Sequence, residues 1–113
     1  MSAIRTQALL WYGQRLSAMV LSLCVVAHLG GIIYAVRGGL TAAEILGRTR
    51  GNHAWLAFYS VFVVAVSVHA PIGLRAIFLE WLRWRGASRD IVLALFSAAL
   101  AWMGMRAVFS VFI

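Results

Sequence analysis

The segment SVHAPIGLRAIFLEW (Ser67 to Trp81) brings His69, Pro71, Arg75 and Glu80 directly out of an apolar run. Imidazole is the side chain suited both to metal ligation and to proton transfer near neutral pH. With the helix advancing about 100° per residue, Gly73 lies one turn beyond His69 and Glu80 three turns beyond, on one face. Arg75 points roughly a third of a turn away. A histidine with glycine four positions on suits a flat cofactor, because the imidazole ligates and the missing side chain clears space for a ring edge. Pro71 removes the helical hydrogen bond to the Ser67 carbonyl and is expected to kink the helix near the histidine. The alternative is a histidine hydrogen-bonded to a neighbouring helix, frequent in membrane bundles. Spacing alone leaves both open.

His28 is the one strongly polar residue of the apolar stretch Leu16 to Val36. Residue counting along two antiparallel helices sets it about 12 Å from His69 in depth. Two axial nitrogens on one iron sit about 4 Å apart, each bond being near 2 Å. The two histidines therefore cannot clamp one iron within a single chain. His28 serves either a second cofactor or a hydrogen-bonded core. His53 is expected in a solvated loop. Cys24 lies in an apolar run as the single cysteine, so it forms no internal disulfide and reads as packed or lipid-facing.

Arg15 stands beside Gln14 and Ser17, just after Trp11 and Tyr12. One reading is an interfacial belt of amphipathic aromatics with a snorkelling arginine. The other is a polar pocket at the membrane surface. There a guanidinium could polarise a quinone carbonyl or bind a haem propionate while an indole stacks on the ring.

The elements that must position these groups follow from composition. The chain has 113 residues, 64% of them hydrophobic, far above a soluble domain's share. A soluble fold of this size could not hide that much apolar surface. All ten basic residues are arginine, against three acidic ones. No basic face, zinc spacing or RNA-binding signature accompanies the charge, which excludes nucleic acid as the partner. Arginines at membrane edges, bound to lipid phosphates and fixing topology, account for it.

Three apolar stretches, 16–36, 54–74 and 91–113, are each close to the roughly 20 residues a spanning helix needs. The predicted fold is all-α: one integral membrane domain over 1–113, with three transmembrane helices forming part of a multi-subunit bundle. Open strands would leave unpaired backbone in lipid. The first span is too long for a signal peptide's apolar region and lacks an evident small-residue cleavage site. In the first connection, Thr41 is expected to cap a short surface helix and pair with Glu44. In the basic turn RWRGASRD, Ser88 or Asp90 is expected to cap the third span. That turn suits lipid phosphates and equally a soluble partner. Six arginines (5, 15, 75, 83, 85, 89) fall on the N-terminal side against four (37, 48, 50, 106) opposite, which favours a cytoplasmic N-terminus.

Two motifs carry a family resemblance over nearly the whole chain. HAPIGLRAIFLE resembles the second-helix signature of the cytochrome b membrane-anchor subunit of succinate dehydrogenase. That signature is a haem-ligating histidine, three residues, a glycine, a hydrophobe, an arginine and a later acidic residue, here His69, Gly73, Leu74, Arg75 and Glu80. Ala76 stands where the family often has a second histidine. QRLSAMVLSL is similar to the family's first-helix start, aligning Arg15 with its quinone-site arginine and Ser17 with the serine of the motif. Trp11 falls where the family's quinone-contacting serine would be.

The resemblance implies a four-part complex in a bacterial inner membrane. A flavoprotein oxidises succinate or reduces fumarate, an iron–sulfur subunit carries electrons inward, and small anchors bind haem b and quinone. This chain has no flavin fingerprint and no cysteine cluster, so it would be non-catalytic alone. His69 would be one axial ligand of haem b, the other coming from a second anchor subunit or another copy. Arg75 would meet a haem propionate, and Arg15, Ser17 and Trp11 a quinone or a propionate. In the family's diheme branch, histidines of the first two helices ligate different haems, and His28 with His69 fits that layout. One haem is the expectation, with two left open. Rival readings are a b-type cytochrome anchor of another respiratory dehydrogenase, and a haem-free structural or transport subunit.

Overall fold

A computed structural model describes residues 2–113. In chain order it comprises α1 (Ala3–Gly38), α2 (Ala42–Thr49), α3 (His53–Leu82) and α4 (Ala87–Phe112). The chain is all-helical, and α1, α3 and α4 are long and apolar enough to cross a membrane. Helix α3 is central: α1 packs along one side of it and α4 along the other.

The helices outrun the apolar stretches. Helix α1 starts at Ala3 because residues 3–15 are rich in Ala, Leu, Gln and Arg, all strong helix formers. The Ser2 side chain accepts from the Arg5 N–H at 3.2 Å and closes its N-terminus. Hydropathy marks where a helix can meet lipid, not where its backbone stops. His53 is accordingly the first residue of α3, not a loop residue, with its ring edge-on to Phe112 at 5.4 Å.

The expected cap of α4 is also corrected. Gly86 is its N-cap and no side chain caps it. Ser88 instead accepts from the Trp84 indole N–H at 2.9 Å, and Asp90 is taken by Arg75 and Arg89. The preceding helix ends on Arg83 in the left-handed region (φ 52°, ψ 28°), a place usually given to glycine. The Trp84 N–H reaches back to the Phe78 carbonyl at 3.0 Å, and the two rings stack at 5.2 Å.

Pro71 lies inside α3, which runs helical through it. The carbonyl its ring leaves without an N–H is that of Ser67, and Ser97 of α4 donates its hydroxyl to it at 2.7 Å. Helix α4 thus repairs the backbone of α3 where water is absent. Ser97→Ala should lower stability by about 1 kcal/mol, the scale of interhelical hydrogen bonds in bilayers, in a reversible unfolding titration in mixed micelles. A change within error would show that the Ser67 carbonyl finds another donor. Further along, a Cβ at Gly104 would come 2.7 Å from a Val63 methyl, so α3 and α4 close on each other there because the residue is small.

Helix α2 has the reciprocal cap expected of Thr41 and Glu44: the Glu44 N–H donates to Thr41 Oγ1 at 3.2 Å, and the Thr41 N–H to Glu44 Oε2 at 2.9 Å. These Thr41 donors, backbone first, hold the Glu44 carboxyl below its ordinary pKa. The far end of α2 closes α4. Thr49 donates to the Val111 carbonyl at 2.7 Å and the Gly51 N–H to that of Phe112 at 2.8 Å, satisfying carbonyls the helix cannot.

Little of this is interior. The buried apolar residues are Cys24, Ala65, Leu93 and Val108, while Leu23 is 76% and Val26 72% exposed. Three packed helices cover one another on narrow stripes only. The remaining apolar surface is fit for lipid or for other helices.

Candidate functional site

The N-terminal half of α1 faces the C-terminal half of α3, and there the polar residues of both collect. Ser17, 6% exposed, donates its hydroxyl to the Gln14 carbonyl at 3.1 Å and lies 3.3 Å from His69 Nδ1. Neither His69 Nε2 nor Gln14 Oε1 has a protein partner among the described residues, and Gln14 Oε1 is buried. A Cβ at Gly73 would sit 3.5 Å from Gln14 Nε2, an ordinary contact. The chain's own packing therefore does not demand glycine there. Beside Ser17 runs an open apolar groove of about 460 Å³ lined by Gly13, Leu16, Val61, Val64 and Val68. His69 is half-buried at the chain's surface, so anything it binds would need covering from outside.

The four candidate residues Trp11, Gln14, Arg15 and Ser17 do not converge. Ser17 and Gln14 point at α3, whereas Arg15 and Trp11 are exposed, the guanidinium over the indole at 5.1 Å. Two residues apart on a helix means about 200° around it, so Arg15 and Ser17 take opposite faces. Within this chain Arg15 and Trp11 thus lie on the face of α1 opposite Ser17.

Arg75 turns toward α4, its Nε 3.7 Å from Asp90 Oδ1, and buried Arg89 donates to the same oxygen at 3.0 Å. Two cations share one carboxylate, and this cluster keeps net positive charge. It borders a cleft of about 340 Å³ with Thr6, Pro71 and Ser97. Glu80, on the His69 face by periodicity, is exposed and in no ion pair among the described residues.

His28 occupies the other end of the α1–α3 seam. Its Nδ1 lies 2.8 Å from the Tyr59 hydroxyl, and its ring meets Phe62 edge-on at 5.5 Å. The two seam contacts, Ser17 with His69 and His28 with Tyr59, are ten or eleven residues apart on each helix, about 15 Å. The histidines are held at different depths. A cleft of about 760 Å³ adjoins His28, bordered by Tyr34, Arg48, Trp55 and Tyr59. Tyr59 escaped the sequence reading because pairing it with His28 requires the α1–α3 register, which the 14-residue connection 39–52 leaves undetermined.

Among the described residues no three His, Cys, Asp or Glu side chains converge on a metal-sized space. No family model, curated protein or solved structure matches the chain.

Proposed function

We propose that this chain is the membrane-anchor cytochrome b subunit of a succinate dehydrogenase- or fumarate reductase-type complex. It would bind haem b and quinone in a bacterial inner membrane, N-terminus cytoplasmic, and pass electrons from an iron–sulfur subunit to the quinone pool. The observation that carries this reading is His69: one half-buried imidazole with a hydroxyl on Nδ1, a free Nε2 and, beside it, an unpartnered buried acceptor on Gln14. A ligating histidine characteristically has its other ring nitrogen engaged this way. These residues fit a haem edge.

When bound, the haem would supply a one-electron carrier between the soluble subunits and the quinone. The chain's own residues bind and orient. His69 would offer Nε2, Gly73 would lie without a side chain toward the ring edge, and the charge left over from Arg75, Arg89 and Asp90 would favour propionates nearby. Arg15 and Trp11, facing outward at the N-terminal end, are placed for a quinone held between this chain and a partner. The surface position of His69 agrees with a second axial ligand supplied by another anchor subunit or another copy.

One haem per chain is the reading the hydrogen bonds support. The Tyr59 phenol proton has no acceptor but His28 Nδ1 among the described residues, which leaves the His28 ring proton on Nε2. A ring protonated on Nε2 must change tautomer before it can ligate, which disfavours His28 as a second ligand. The test is to isolate the chain with whatever co-purifies and record the reduced-minus-oxidised spectrum, flavin content and dicarboxylate activity. A b-type spectrum with flavin and succinate oxidation is expected, and His28→Phe should retain one bis-histidine haem at near-native potential. Loss of one of two haems in His28→Phe would establish two sites. Haem without flavin would assign the anchor to another dehydrogenase, and absence of haem would leave a structural or transport subunit.

A further inference from the structure

The hydroxyl of Ser17 has one proton, and it is spent inside α1 on the Gln14 carbonyl at 3.1 Å. A carbonyl only accepts, so the direction of that bond is fixed. The lone pairs of Ser17 Oγ are what remains to face His69 Nδ1 at 3.3 Å. The ring nitrogen must then donate. We infer that Ser17 is a positioning residue that fixes the neutral His69 imidazole with its proton on Nδ1, so that Nε2 presents a bare lone pair to a metal. The assignment follows from the hydrogen-bond network, as tautomers do.

Three features give this weight. Ser17 is buried, so no water competes for its oxygen. Ser17 is one turn from Gln14, whose carbonyl is a helical neighbour always in place, so the serine proton cannot be drawn off by a mobile group. The chain also contains the opposite arrangement: at His28 a phenol with no other acceptor gives its proton to Nδ1. Two hydroxyls, each on an Nδ1 across the same helix pair, thus set opposite tautomers. Only the one at Ser17 produces a ligand. Ser17 therefore acts through the ring rather than on a quinone.

This rests on His69 being the haem ligand, but its first test does not need haem. The full chain, labelled with ¹⁵N-histidine and held metal-free in lipid nanodiscs, should show a protonated Nδ1 and unprotonated Nε2 for His69, and the reverse for His28. Ser17→Ala should move His69 toward the Nε2-protonated form, and Ser17→Thr, which keeps the oxygen, should restore the native pattern. Should Ser17→Ala not assemble, Ser17→Cys, with a poorer acceptor, gives the same readout. In the isolated complex Ser17→Ala should weaken haem retention about 10-fold, the lower end for losing an outer partner of a ligating histidine. It should also raise the haem midpoint potential, because a less basic imidazole stabilises the ferric state less. A wild-type His69 protonated on Nε2, or a Ser17→Ala chain with unchanged tautomer, overturns the role of Ser17 while leaving the haem proposal standing. The expected tautomers in a complex that holds no haem would uphold the role of Ser17 and overturn the haem proposal instead.

Discussion

Replacing His69 with alanine is expected to remove the haem absorbance of the isolated complex. Among the described residues the imidazole is the one candidate with a free ring nitrogen beside a buried unpartnered acceptor. Loss of an outer partner alone typically costs about 10- to 100-fold in metal affinity, and loss of the ligand itself should cost at least that. The helices should still assemble, because α3 packs on α1 and α4 through apolar and small side chains that do not involve the ring, such as Gly13 against Ile72 and Gly104 against Val63. The measurement is haem per complex by pyridine haemochrome, read with subunit stoichiometry. Full haem content in an intact His69→Ala complex would sink the assignment.

The second large effect is expected at Arg15. Its guanidinium lies over Trp11 on the outward face of α1, away from Ser17. Hydrogen bonds to a charged donor are worth about 1.5–3 kcal/mol, so Arg15→Leu should slow quinone reduction by about 10- to 100-fold. Electron transfer to a dye that accepts directly from the soluble subunits should persist. Equal loss of both activities would mark an assembly defect, and the quinone role of Arg15 would be withdrawn. The haem spectrum should stay native, since Arg15 and His69 lie on different sides of α1.

Much of the architecture was legible because bilayers impose a strong code. Apolar stretches of about 20 residues give spans directly, and the Thr41–Glu44 pair is a motif whose geometry is local. The capping of α4 was misread because Ser88 and Asp90 are good caps in isolation, and only the folded turn shows Trp84, Arg75 and Arg89 claiming them. The division of Arg15 from Ser17 was legible in principle, since their 200° offset follows from periodicity alone. What no count along the chain could give is which residues meet across helices. The partners of His69 and His28 depend on the sliding position of α1 against α3, and apolar faces alone specify that weakly.

The hydroxyl of Ser97 on the Ser67 carbonyl bears on that sliding for the other helix pair. Shifting α4 by one turn against α3 would move the two groups about 5.4 Å apart. A carbonyl without its helical partner would then lose its donor in hydrocarbon, at about 1 kcal/mol on the scale of interhelical hydrogen bonds in bilayers. Side chains on largely apolar helices can interdigitate in more than one alignment, but only one alignment brings this hydroxyl to this oxygen. Proline, commonly counted as a defect in a helix, thereby serves as an address. It creates one unmet acceptor at one height, and the neighbouring helix is kept in step by the single donor that answers it.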